Sequence, residues 1–181
     1  MNHWPYPLWI AHRGAGKLAP ENTLAAFRVG ASHGWRAFEC DVKLSADGIP
    51  FLLHDDTLQR TTSARGTAGE RSWAELSRLD AGGWHSRAFA GEPLPSLEAI
   101  AAYVLRNGFT LNIEIKPTPG LEFETGRVVA TPLHNFATPL IRYAIGDYAE
   151  VGPPCPCGRG LPVLRRILGR TRNMVRLPSG Q

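Results

Sequence analysis

The amino-acid sequence predicts an α/β fold for roughly the first 130 residues, on three observations. Short apolar runs suited to buried strands alternate with stretches of helical spacing. Apolar residues make up 43% of the 181 and charged residues 20%, the balance of a chain that can bury one sizeable core. Every expected strand also ends in charged or polar residues, as strands do when they build a site at one end of a sheet.

Leu8 to His12 is the first apolar run, read as a buried strand that Gly14 and Gly16 end. Asn22 and Thr23 offer an N-cap for a helix that Gly34 stops. Within that helix Leu24, Phe27 and Ala31 fall at i, i+3 and i+7, an apolar stripe suited to packing on a sheet. A second strand spans Ala37 to Leu44, and its alternation turns Phe38, Cys40 and Val42 one way and Glu39 and Asp41 the other. Asp47-Gly48 is a turn, and Ile49 to Leu53 a third strand. From Asp55 to Glu92 the chain is polar and irregular, an excursion of subdomain size anchored by Trp73, Leu76, Leu79 and Trp84. Leu97 to Arg106 returns to helical spacing, Asn107-Gly108 closes it, and Phe109 to Ile115 is a strand that runs into Lys116-Pro117.

The strand ends carry the chemistry. The first ends at His12-Arg13, the second carries Glu39 and Asp41, the third ends at His54-Asp55, and the fourth carries Glu114 and Lys116. A single histidine or acid at a strand end is ordinarily a cap or a surface residue, but a charged group at every strand end is not. Three carboxylates on buried strands need a positive partner, and a hard divalent cation, Mg²⁺ or Ca²⁺, suits oxygen ligands better than zinc does. Two histidines beside it suit acid and base work on a phosphate ester, and Arg13 and Lys116 would neutralise phosphoryl oxygens.

His12-Arg13-Gly14, Pro20-Glu21-Asn22-Thr23, Glu39-Cys40-Asp41-Val42, Asp47-Gly48, His54-Asp55 and Glu114-Ile115-Lys116-Pro117 together resemble the glycerophosphodiester phosphodiesterase family in order and spacing. Residues 4–130 are similar to the amino-terminal half of a cytosolic bacterial member. The resemblance implies an incomplete TIM-type (β/α) barrel of the phospholipase-C-like phosphodiesterase class. It also implies metal-dependent hydrolysis of glycerophosphodiesters to glycerol 3-phosphate and an alcohol. On matching positions His12 and His54 are the implied acid/base pair, Glu39, Asp41 and Glu114 the ligands of one divalent cation, and Arg13 and Lys116 the phosphate-binding residues. Glu21 takes a supporting role, Cys40 packs in the core, and the excursion from Asp55 to Glu92 corresponds to an insertion that shapes the substrate pocket. One route the resemblance implies is attack by the substrate's own glycerol hydroxyl, giving a cyclic phosphate that water opens.

A barrel of this type needs ~250 residues, and the recognisable part supplies about half. The missing strands leave open edges, which two half barrels pairing as a homodimer would cover, and they leave the activity of this chain an open question. The remainder differs in kind. Through Ala130 there are 13 Lys and Arg against 14 Asp and Glu; from Thr131 onward there are 7 against 2, so the basic pI of 9.3 belongs to the tail. There, Leu133-His134-Asn135, Pro139 to Tyr143, Gly146-Asp147-Tyr148, Cys155 to Arg159 and Leu168-Gly169-Arg170 resemble the phenylacetate–coenzyme A ligase family of adenylate-forming enzymes. That resemblance implies a nucleotide-ribose contact at Asp147 and a hinge position at Arg170. The two resemblances meet near residues 126–130, dividing the chain into a 1–130 phosphodiesterase domain and a 131–181 ligase-like fragment.

Three functional readings follow: a phosphodiesterase, a non-catalytic chimera, and an adenylate-forming fragment that binds ATP. Zinc at Cys155 and Cys157 lacks the four ligands of a structural site, His134 being the one obvious third. The run Arg165, Arg166, Arg170, Arg172 and Arg176 comes without lysines or interleaved aromatics, so a solvated basic face is expected and nucleic acid is not. No window approaches the ~20 apolar residues of a membrane span. Met1 to Ile10 lacks a basic n-region and is broken by Pro5 and Pro7, unlike a signal peptide, and the expected location is cytoplasmic.

Overall fold

The computed structural model of the chain describes residues 7–135, 147–151 and 164–170. They fall in two compact units, residues 1–140 and 141–181. The first is organised on β1 (Ala37–Leu44), a strand buried along its whole length. Phe38, Cys40, Val42 and Leu44 enter the main apolar core with Phe27, Leu52, Ile100, Val104 and Leu111. The alternation leaves Glu39 and Asp41 on the opposite face, as expected, and Lys43 falls there with them.

β3 (Thr110–Ile115) runs parallel to β1 from Ala37 opposite Thr110 to Val42 opposite Ile115. β2 (Pro50–Leu52) lies on its other side, so the sheet order is β2-β1-β3. The strand expected at Leu8 to His12 contracts to one parallel bridge, Ala11 with Phe38, held by two hydrogen bonds of 2.9 Å. Leu8 and Trp9 stay 85% and 77% exposed, and Pro7 has no N–H to give to a ladder, so the run is apolar without being core. The strand expected at Ile49 to Leu53 narrows to β2 and runs antiparallel to β1, Val42 opposite Leu52. His54 therefore reaches the site from a returning hairpin, not from the end of a parallel strand. The Leu53 N–H bonds the Asp41 carbonyl at 3.1 Å and fixes that approach.

Helix α1 (Leu24–Ser32) begins where Thr23 Oγ1 accepts the Ala26 N–H and ends at Gly34, whose φ of 90° closes the helix. Phe27 stacks on Phe38 with centroids 5.1 Å apart. Between the Asp55–Glu92 excursion and β3 lies α3 (Leu97–Arg106), capped by Ser96 and packed through Ile100 and Val104. The excursion has a core of its own: Leu58, Ala68, Leu76 and Ala81 bury against Phe51, Leu53 and Leu94, with Trp73 and Leu79 beside them. Its one α-helical turn is α2 (Trp73–Leu76). Trp84, expected as an anchor, is 41% exposed and held by its indole N–H on the Ala81 carbonyl. The excursion also reaches back to α1, where Glu92 accepts the Ala25 N–H at 2.9 Å, an acid at the positive end of the helix.

α4 (Glu122–Asn135), which no sequence signal announced, buries Val129 and runs continuously through residues 126–130, where the two sequence resemblances meet. The second unit contains β4 (Asp147–Val151) paired antiparallel with β5 (Leu164–Arg170), and Asp147 stands opposite Arg170 in the register. Pro139 to Tyr143, Cys155 to Arg159, Arg172 and Arg176 lie outside the described residues. No helix among the described residues is long and apolar enough to cross a membrane.

Gly30 lets α1 pack closely on the Gly14 loop and on Phe38 of β1. A Cβ there would strike the Gly14 carbonyl oxygen and sit 2.8 Å from the Phe38 ring. Alanine gains about 1 kcal/mol of helix propensity, but overpacking costs roughly 1–3 kcal/mol. Gly30→Ala is therefore expected to lower stability in a urea melt despite its better helix former; a stabilised variant would show that α1 can slide away from Phe38.

Candidate active site

A strand buried on both faces yet charged on one must find partners for its charges. The β1–β3 register sets Asp41 beside Glu114, and Glu39 lies two residues earlier on the same face. Each of the three offers a carboxylate oxygen, and these lie within 4.8 Å of one another. Around them stands a shell of donors. The Arg13 N–H bonds Glu39 Oε2 at 2.8 Å, and Asn22 Nδ2 bonds Asp41 Oδ2 at 2.8 Å while its Oδ1 accepts the Asp41 N–H. Both donors come from residues with positive φ, 52° for Arg13 and 58° for Asn22, so backbone strain is spent on delivering them.

The shell does not complete the set. Glu39 Oε1 and Asp41 Oδ1 are buried and accept no hydrogen bond among the described residues. Burial pushes the Glu39 carboxyl up to about 7; Asp41 and Glu114 add to the rise, while the N–H and charge of Arg13 oppose it. Two unmet acceptors within a group of three oxygen donors are what a hard divalent cation would satisfy. The residues present thus fit such an ion.

The two histidines approach from different loops. His12 follows the Ala11 bridge, 66% exposed, with Nε2 3.9 Å from Glu39 Oε2. His54 follows β2 with Nδ1 2.7 Å from Asp55 Oδ1. It lines a cleft of about 590 Å³ with Lys43, Asp55, Asp56, Thr57, Lys116 and Pro117. Lys116 Nζ lies 2.9 Å from Glu114 Oε1, so it borders both the cleft and the acid cluster. Arg13 is more committed than the sequence suggested: Nη1 bonds Glu21 Oε1 at 2.7 Å, and Nε lies 3.1 Å from Asp41 Oδ2 as an ion pair without hydrogen-bond alignment.

Three residues of the site escaped sequence reasoning. Asn22 looked like a helix cap, but Thr23 caps α1 and Asn22 turns its amide to Asp41. Lys43 has a fully buried side chain, its Nζ bonding Asp56 Oδ1 at 2.7 Å and the Lys116 carbonyl at 3.0 Å. Its place on the face of Glu39 and Asp41 was readable from the alternation. Arg60, within the polar excursion, carried no signal; it joins Glu21 to Asp55. Asp147 and Arg170 belong to the second unit, where the backbone register alone places them opposite one another.

Known proteins resemble this chain in sequence and fold. The glycerophosphoryl diester phosphodiesterase family matches residues 12–138. The chain is 35% identical over 160 residues to a glycerophosphodiester phosphodiesterase of Caldanaerobacter subterraneus, covering 83% of this chain and 65% of the relative. Among solved structures, an Oleispira antarctica phosphodiesterase in complex with the product sn-glycerol-3-phosphate superposes with a TM-score of 0.70 at 40% identity, over 75% of this chain and 56% of that one. A glycerophosphodiester phosphodiesterase from Agrobacterium tumefaciens gives 0.63 at 36% identity, over 71% and 53%. The chain belongs to the glycerophosphoryl diester phosphodiesterase family and has its α/β fold in part. It spans less than two thirds of the length of these relatives.

Two outcomes are expected from the site's electrostatics. Because the folded-state pKa of Glu39 is raised, its protonated form stabilises the metal-free protein below pH ~4.5, and that stability, on the order of 3 kcal/mol at most, is lost as pH rises through about 7. Thermal melts from pH 5 to 8 should fall in chelator, fall less with millimolar Mg²⁺ or Ca²⁺, and flatten in Glu39→Gln. A second outcome concerns Lys43. Asp56→Ala strands a buried ammonium and is expected to cost about 3 kcal/mol in urea unfolding, whereas Lys43→Met should cost about 1 kcal/mol or less. Equal losses would mean that Lys43 keeps its hydration in the cleft.

Proposed function

We propose that this chain, as a member of that family, hydrolyses glycerophosphodiesters to glycerol 3-phosphate and an alcohol in a metal-dependent reaction. The observation that carries the reading is the acid cluster, in which two buried carboxylate oxygens have no donor, with His12 beside Glu39 and Lys116 joining the cluster to the cleft that His54 lines. Glu39, Asp41 and Glu114 would hold one Mg²⁺ or Ca²⁺, which when bound supplies positive charge to the phosphoryl oxygens. His54 keeps its Nδ1 proton on Asp55 and offers Nε2 to the cleft, the nitrogen suited to take or give a proton. His12, open to solvent beside Glu39, is the second acid/base group. Lys116, bordering the cleft, meets the phosphate; Arg13 does so through the guanidinium nitrogen not engaged with Glu21 or Asp41.

The product bound to the Oleispira relative supports this substrate class. The head group is not assigned by it. Residues 131–181 are read as a segment apart, similar by the motifs quoted above to a phenylacetate–coenzyme A ligase fragment; its basic charge and the separate compact unit at residues 141–181 support a division of the chain. Because α4 and the family match both run past residue 130, to Asn135 and residue 138, we read the boundary a few residues later. A cytoplasmic location and a homodimer that covers open strand edges complete the reading.

Release of glycerol 3-phosphate from glycerophosphoethanolamine by the 181-residue chain tests it, with Mg²⁺, Ca²⁺ or chelator present. Metal-dependent release is expected, reduced about 100-fold or more in His12→Ala and in Glu39→Ala. Soluble, cooperatively melting protein with no release under either metal would replace the enzyme reading with that of a non-catalytic chimera. Stabilisation by ATP and not by metal would favour the ligase-like fragment.

A further inference from the structure

The excursion between β2 and α3 sends the Arg60 side chain back to the site, and nothing in the reaction as described uses it. Arg60 lies six residues beyond His54 and 39 residues beyond Glu21, and its guanidinium binds partners of both histidine-bearing loops. Toward the β2 side, Nε bonds Asp55 Oδ2 at 2.7 Å and Nη2 bonds Asp55 Oδ1 at 3.0 Å. Toward the Arg13 loop, Nη1 bonds Glu21 Oε2 at 2.9 Å and Nη2 bonds Glu21 Oε1 at 2.7 Å. Both oxygens of two carboxylates are thus held by one planar group, a task for which a lysine has no geometry.

Each carboxylate has a second duty. Asp55 Oδ1 is the atom facing His54 Nδ1. Glu21 Oε1 also accepts Arg13 Nη1, and Arg13 in turn holds Glu39 through its backbone N–H and flanks Asp41 through Nε. Arg60 therefore sits at the centre of a chain of contacts running from His54 through Asp55, Glu21 and Arg13 to the acid cluster.

We infer that Arg60 is a positioning residue that sets the orientation and tautomer of His54 and fixes the His54 loop against the Arg13 loop. The inference rests on the phosphodiesterase reading above and adds the part that holds its two acid/base groups in one frame. The physical reason is that an imidazole beside a carboxylate has a defined tautomer only while that carboxylate remains an ionised acceptor in a fixed place. Arg60 does this for Asp55: its hydrogen bonds hold the carboxyl well below the usual range, against the partial burial that would raise it. Glu21, which burial alone would push up, is likewise held low by Arg60 and Arg13. Without Arg60, Asp55 keeps only His54 and is free to swing toward Lys43 or Lys116 across the cleft, where Asp56 is already bound to Lys43.

The test reads both turnover and the imidazole itself. In the 181-residue chain with Mg²⁺, Arg60→Gln is expected to lower kcat for glycerophosphoethanolamine by about 10- to 100-fold with KM changed less than about threefold. Arg60→Lys should recover little of it, since it restores charge but not the fork. In parallel, the ¹⁵N shifts of the His54 ring, assigned by comparison with His54→Gln, should report a single Nδ1-protonated tautomer in the parent and a mixture in Arg60→Gln. Should Arg60→Gln fail to melt cooperatively, the same shifts are read in Arg60→Lys. Unchanged His54 shifts, or a kcat loss matched by an equal rise in KM, would overturn the inference. The ring shifts decide it even where the parent releases no glycerol 3-phosphate, a result that would sink the phosphodiesterase reading by itself.

Discussion

Three carboxylates on one side of a sheet, two of them all but removed from water, are the constraint on which the rest of the structure turns. β1 cannot present Glu39 and Asp41 to an apolar layer, and it cannot expose them because both its faces are covered. The molecule meets this by bringing donors to them: the backbone of Arg13 to Glu39, and the amide of Asn22 and the guanidinium of Arg13 to Asp41. Those donors come from a loop that visits left-handed backbone at two non-glycine residues. Strain of order 1–3 kcal/mol at each such residue persists only where surrounding contacts hold it. Here the contacts are the Asn22–Asp41 pair of hydrogen bonds and the Arg13–Glu21–Arg60 ladder.

The shell leaves a residue of unmet charge, which the raised pKa of Glu39 and the two donor-free oxygens both record. A purely structural cluster would have been completed by one more donor, since Arg13 and Lys116 are within reach of it. Instead Lys116 also borders the cleft, and Arg13 shares its guanidinium with Glu21. On the proposed reading the incomplete shell is what a cation would complete: full satisfaction by the protein's own donors would leave nothing for the ion to gain.

Much of this was legible in the sequence, for local reasons. The bounds of β1 follow from alternation, those of α3 from helical spacing and the Asn107-Gly108 stop, and those of α1 from Thr23 and Gly34. Glu39, Asp41, Glu114, Lys116 and His54 announced themselves because each stands at or just beyond a strand. The misses have a common cause. Leu8 and Trp9 read as core because periodicity sees hydrophobicity and not whether a facing layer exists. The antiparallel course of β2 depends on a hairpin geometry that the Asp47-Gly48 turn hinted at but pattern alone did not orient. α4 contains Gly126 and Pro132 and is far less apolar than α1, and burial of Val129 in the main core holds it. Arg60 was invisible because its meaning lies in two carboxylates, at positions 21 and 55, whose proximity is a property of the fold.

That last case bears on how the Asp55–Glu92 excursion should be understood. It encloses its own small core, which would suggest an appendage that could be shed without harm to the sheet. Its polar residues argue otherwise. Arg60 ties the loops of both histidines, Asp56 neutralises the buried Lys43 of β1, and Glu92 caps the first turn of α1. Gly69 meets Thr118, just beyond Lys116, so closely that no Cβ would fit between them. These contacts land on elements that carry or adjoin site residues, and others, from Trp73 and Arg71, hold the turn between β1 and β2. The excursion therefore acts as a brace across the loops of the site. The apolar cluster inside it has the job of keeping that brace rigid, because an ion pair fixes a distance only when neither of its ends can drift.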